Sequence, residues 1–164
     1  MRRFRALVLV CLGLAACGFQ PMNAPRGGDG APATAATAKV AVQPIPERRG
    51  QLLHTELTKR LRAGGRAPST YFLDVSLDEK IEETSFRLDE TATRRNITLI
   101  ATYSLVDVRN DNVVLRGRAR SINSANVLDQ PYATSVAERD ARERGSSDLA
   151  EKIFRDIASK LVGR

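Results

Sequence analysis

The run Ile97-Thr98-Leu99-Ile100-Ala101-Thr102-Tyr103-Ser104-Leu105 decides the fold class. Ile97, Leu99, Ala101, Tyr103 and Leu105 alternate with Thr98, Ile100, Thr102 and Ser104, giving one apolar and one mostly polar side. Successive side chains of a strand point to opposite faces, so this period of two predicts a strand buried on one face. Asn110-Asp111-Asn112 then supplies turn residues, and Val113, Leu115, Gly117 and Ala119 alternate with Val114, Arg116, Arg118 and Arg120. The two runs read as a β-hairpin.

Working outward, Tyr71, Leu73, Val75 and Leu77 alternate with Phe72, Asp74, Ser76 and Asp78, which predicts another half-buried strand continuing towards Glu83. A polar segment, Glu82 to Arg95, joins it to the hairpin. Val40-Ala41-Val42-Gln43-Pro44-Ile45 is a short strand ended by proline. Between these strands, Glu47 to Arg62 sets Leu53, Leu57 and Leu61 on one helical face with Leu52 beside them, and Gly64-Gly65 stops the helix. A second helical pattern runs from Ala133 to Leu161, where Gly145 either interrupts the helix or merely weakens it. The order β, α, β, β, β, α predicts an α+β domain over residues 38–164: a four-stranded β-sheet with two α-helices packed on one face. The other face is polar and open.

The chain has 164 residues with a formal charge of +7, which by itself raises polyanion binding. Much of that charge belongs to the first residues. Met1-Arg2-Arg3-Phe4-Arg5 precedes the apolar run Ala6 to Ala16, too short to span a bilayer and patterned as a secretory signal over residues 1–16. Leu14-Ala15-Ala16-Cys17 resembles the bacterial lipobox, which implies removal of residues 1–16 and lipid on Cys17. By the same resemblance Gly18 implies sorting to the outer membrane. Without Arg2, Arg3 and Arg5 the balance is 23 basic against 19 acidic residues, about +4, and nucleic acid is no longer the expected partner. Pro21 to Thr37 is rich in Pro, Gly, Ala and Thr and is expected to act, with Cys17 to Gln20, as a flexible tether over 17–37.

Catalytic chemistry finds little support. His54 is the only imidazole and lies among Leu52, Leu53 and Leu57; Cys11 leaves with the signal and Cys17 is taken by lipid. No Cys/His pair, nucleophile elbow or thiolate metal site remains, and Gly27-Gly28-Asp29-Gly30 lacks the strand and Lys of a phosphate loop. Asp74, Asp78, Glu79, Glu82 and Glu83 lack calcium-loop spacing and read as a solvated acidic edge. The sequence therefore predicts neither an enzyme nor a metal or cofactor site beyond the covalent lipid.

Arg116, Arg118 and Arg120 are the remaining candidates for binding. Their spacing places three guanidiniums on one strand face, with Arg94 and Arg95 expected close by on the neighbouring strand. Planar, always-charged guanidiniums match phosphate oxygens. The same stripe also reads as a solvated face paired with Asp74 or Asp78.

Four pieces in order, Cys17-Gly18-Phe19-Gln20-Pro21, Arg49-Gly50-Gln51-Leu52 with Leu57 and Leu61, Ala101-Thr102-Tyr103-Ser104-Leu105, and Asp129-Gln130-Pro131-Tyr132-Ala133 before Ala137-Glu138-Arg139-Asp140-Ala141, carry a resemblance. Together they resemble the LptE family of lipopolysaccharide-assembly lipoproteins in its alphaproteobacterial form. The resemblance implies a noncatalytic outer-membrane lipoprotein facing the periplasm. It implies that this protein assists assembly of the lipopolysaccharide-transport β-barrel LptD, plugs it in a 1:1 complex, and contacts lipopolysaccharide, with the five arginines as candidate contacts. Met22-Asn23 stands where the family has Leu-Tyr and Ala125-Asn126 where Tyr-Asn is usual, so contacts made by those tyrosines are missing. The alternative is a free periplasm-facing lipoprotein that binds another anionic or small ligand.

Overall fold

The computed structural model describes residues 33–65, 67–85, 93–127 and 130–162. The signal segment, Cys17 and most of the expected tether lie outside them. The elements in chain order are α1 (Ala33–Thr37), β1 (Val40–Val42), α2 (Glu47–Leu61), β2 (Tyr71–Ser85), β3 (Thr93–Asp107), β4 (Val113–Val127) and α3 (Pro131–Val162). The sheet order is β1-β2-β3-β4. The α2 crossover joins the parallel pair β1 and β2, whereas β2–β3 and β3–β4 are antiparallel. This is the predicted α+β architecture, with helices packed against one sheet face.

The alternation that predicted the central strand also fixes the core. Ile97, Leu99, Ala101, Tyr103 and Leu105 are all at most 2% exposed, and Leu73, Val75 and Ala119 join them from β2 and β4. From the helices, α2 contributes Leu53, Leu57 and Leu61, and α3 contributes Ala141, Leu149, Ile153 and Ile157. The i, i+4 repeat from Ala141 through Gly145 to Ile157 makes a narrow stripe that lies on β3 and β4. Each fully buried Leu or Ile contributes about 1.5–3 kcal/mol over leaving it in water.

Gly145 does not interrupt the last helix, which runs unbroken for 32 residues. The glycine lies at a close approach between helix and sheet. A Cβ there would lie 2.8 Å from Leu99 Cδ1 and 2.9 Å from Asn123 Nδ2. Packing thus explains a residue that intrinsic propensity disfavours in a helix interior.

The polar stretch expected to connect β2 with β3 is largely strand. β2 continues to Ser85 and β3 begins at Thr93. Composition hid this because the ladder there is stabilised by charge rather than apolar contact: Glu83 faces Arg95 across the strands and accepts from its Nε at 3.0 Å. At the other end of the hairpin, Asp107 Oδ1 accepts from the Arg109 amide and Asn110 Oδ1 from the Asn112 amide, while Asp111 takes a φ of 55°. A bulge beside Leu105 and Val106 shifts the register where β4 begins. At the end of the stretch read as tether, Ala33–Thr37 forms a short helix against α3, and Thr37 is buried. Among the described residues no helix is long and apolar enough to cross a membrane.

Candidate functional site

The face of the sheet away from the helices carries the even-numbered residues of the long strands. Arg116, Arg118 and Arg120 are exposed there, and the register sets them beside Ser104, Thr102 and Ile100 of β3, which in turn face Asp74, Ser76 and Asp78 of β2. Alternate residues on a strand repeat about every 7 Å, so the three arginines span roughly 14 Å. None of the three side chains forms a hydrogen bond or an ion pair within 4 Å with the described residues. Pairing with Asp74 or Asp78 within 4 Å does not occur; β3 lies between β2 and β4, which sets their backbones about 10 Å apart. Lys80, hydrogen-bonded to Glu82, holds that carboxyl below its usual range, and Arg120 adds a smaller pull.

One end of the stripe opens into a hollow of about 530 Å³ lined by Asp74, Ser76, Thr102, Ser104 and Arg116, with Pro44 and Pro46 at its rim. Hydroxyls, one carboxylate and a guanidinium in one hollow provide the donors and acceptors that a sugar needs beside the cation that a phosphate needs. Beneath it, Tyr103 lies over Gly117 and donates to Asp156 of α3. Burial, reinforced by that hydrogen bond, pushes the Tyr103 phenol up, so it stays neutral.

The other two expected arginines divide. Arg94 lies on the same face as the stripe, but six residues along β3 from Ile100, the partner of Arg120, and thus about 20 Å away. Arg95 faces the helices. It is held by Glu83 and by Glu138 of α3, and these hydrogen bonds push its guanidinium above the ordinary range. The period of two that united Arg116, Arg118 and Arg120 separates the adjacent residues Arg94 and Arg95.

The acidic edge divides for the same reason. Asp74, Asp78 and Glu82 are exposed on the open face, whereas the Glu79 side chain is only 3% exposed beneath the helices. Glu79 accepts from Arg49 Nη1 of α2 and Arg142 Nε of α3, each at 2.9 Å. Arg142 also reaches Glu138, linking this site to Arg95. Sequence reasoning missed this network, because its residues are 30 and 63 positions apart in the chain; the one local signal is the i, i+4 pair Glu138 and Arg142.

His54 is half-buried on α2. Among the described residues no group of three or more His, Cys, Asp or Glu side chains is placed to hold a metal.

The fold recurs in solved lipoproteins. A lipoprotein from Caulobacter crescentus superposes with a TM-score of 0.70 at 25% identity, covering 80% of this chain and 97% of that one. A minor lipoprotein from Acinetobacter baumannii gives 0.56 at 16% identity over 73% of this chain and 91% of its own. Lipoprotein B from Nitrosomonas europaea gives 0.52 at 15% identity, covering 73% and 81%. No curated protein matches the sequence. The family description for lipopolysaccharide assembly matches residues 37–157, from the last residue of α1 to the last apolar stripe of α3, and the chain belongs to that family, LptE.

Proposed function

We propose that this lipopolysaccharide-assembly lipoprotein assists assembly of the transport barrel LptD, plugs it in a 1:1 complex, and meets lipopolysaccharide through its open sheet face. Lipid on Cys17 would hold it at the outer membrane, facing the periplasm. The observation that carries the contact is the exposed row Arg116, Arg118 and Arg120, which makes no ion pair among the described residues and ends in a hollow that Ser76, Thr102 and Ser104 help to line. Lipopolysaccharide offers phosphates on sugars, the two chemistries set side by side there. A polar sheet face also suits the polar interior of a large outer-membrane barrel. Arg94 lies at the far end of the same face; Arg95, committed to Glu83 and Glu138, takes no part in this reading.

Two measurements test it. Tagged protein extracted in mild detergent should bring down one large β-barrel in equal amount, and recovery without a barrel refutes the plug. Arg116→Ser/Arg118→Ser/Arg120→Ser should fold as the parent does and lose lipopolysaccharide affinity, with a weaker salt dependence than the parent. Unchanged affinity removes the stripe from the contact.

A further inference from the structure

On the opposite side of the molecule, a cleft of about 500 Å³ lies between the start of α2 and the start of α3, with the end of β2 at its floor. Arg48 and Arg49 line it from α2, and Arg139 and Arg142 from α3. Arg49 and Arg142 are committed to Glu79, but Arg48 and Arg139 are exposed and have no partner among the described residues. The apolar lining of the cleft is Leu52 and Ile81. Ile81 is 45% exposed although it lies on the helix-covered face, and outside the cleft, on the first turns of α3, Tyr132 and Val136 are 81% and 46% exposed. Tyr132, Ser135, Val136 and Arg139 are three and four residues apart, so one helix face presents this apolar patch and an unpaired guanidinium together.

A free cation alone is a solvated surface, and an exposed apolar side chain alone is ordinary. Two guanidiniums without a partner among the described residues, one from each wall, beside an exposed isoleucine match a ligand with an anionic head and an apolar stem. We infer that this cleft binds the phosphate head of an acidic phospholipid, with Arg48 and Arg139 on the phosphate oxygens and the first methylenes on Leu52 and Ile81. The volume of about 500 Å³ falls within the range of small-ligand sites. The inference does not rest on the open-face reading, because it uses neither that face nor its arginines.

The test titrates the full chain, in discs of neutral phosphatidylcholine, with octyl phosphate, octyl glucoside and inorganic phosphate, and follows the isoleucine methyls by NMR. Octyl phosphate should shift Ile81 and leave Ile122, on the open face, unmoved. Arg48→Ser/Arg139→Ser should weaken it roughly tenfold while the triple serine variant of the stripe leaves it unchanged. Ile81→Thr should weaken octyl phosphate but not inorganic phosphate. Equal binding of octyl glucoside, inorganic phosphate as tight as octyl phosphate, or no loss in the double arginine variant each overturns the assignment. Short-chain phosphatidylglycerol should then compete with octyl phosphate; if only lipopolysaccharide competes, the phospholipid assignment is wrong.

Discussion

Replacing Gly145 by alanine sets two known effects against each other at one atom. Alanine in a helix interior is favoured over glycine by about 1 kcal/mol, so a free helix would be stabilised. In this protein the new methyl lies 2.8 Å from Leu99 Cδ1 and 2.9 Å from Asn123 Nδ2. Leu99 is 1% exposed, packed in the core, and Asn123 donates to Ser121 Oγ at 2.9 Å, a bond that its retreat would break. Overpacking of this kind costs about 1–3 kcal/mol. Gly145→Ala should therefore be neutral to destabilising, by up to about 2 kcal/mol, despite its helix propensity. Urea unfolding reads this directly when the slope is unchanged. Leu99→Ala supplies the control: alone it costs about 2–5 kcal/mol through its cavity, but it opens space for the methyl. In that background Gly145→Ala should stabilise by about 1 kcal/mol, giving a coupling of about 1–3 kcal/mol between the two sites. An equal rise in midpoint for Gly145→Ala in both backgrounds would refute the close approach as the reason for the glycine.

Gly117→Ala should cost about 3 kcal/mol in the same assay, because its Cβ would overlap Tyr103 Cζ and Oη and the ring is held in the core. The Tyr103 pKa is raised in the folded state, so its contribution is complete below the unfolded value near 10 and is lost as pH rises above it. Tyr103→Phe should accordingly be less stable than the parent at neutral pH and converge on it in alkali; parallel pH profiles would contradict this. Glu79→Ala should destabilise by about 2–3 kcal/mol because it strips Arg49 and Arg142 of their shared partner, whereas Arg49→Ala should cost less because Arg142 still holds Glu79. Equal midpoints for the two variants would mean that the shared carboxylate has no special place in the network.

The apolar alternation of β3 and the leucine spacing of α2 made these elements legible, because burial on one face leaves a period that solvent exposure alone would not produce. The same logic placed Arg116, Arg118 and Arg120 on one exposed face. It failed at the distal end of the hairpin, where Glu83 and Arg95 stabilise the strands through a charge pair that reads as loop composition. It also could not show why Gly145 belongs in a helix, because the reason is a leucine 46 positions earlier in the chain (145 − 99). The interhelical arginines were invisible for the same reason. Arg48 and Arg139 become one site only after α2 and α3 pack side by side.

The two arginine groups differ in a way that bears on what each does. On the helix side, Glu47, Glu79, Glu83 and Glu138 are placed to receive Arg49, Arg95 and Arg142, and the linked pairs tie β2 and β3 to both helices. Those charges are consumed by the fold. On the sheet side, the carboxylates of β2 remain a full strand away from the arginines of β4, with Ser104, Thr102 and Ile100 between them. Strand spacing prevents direct pairing there, and water screens the like charges along the stripe within a Debye length of ~8 Å, so leaving them unpaired costs the fold little. An anion that displaces this water meets guanidiniums that make no hydrogen bond among the described residues and gains charge-assisted hydrogen bonds without first breaking any. The same rule applied to the cleft isolates Arg48 and Arg139 from the committed Arg49 and Arg142. Charge left unspent by folding, rather than total charge, marks both surfaces.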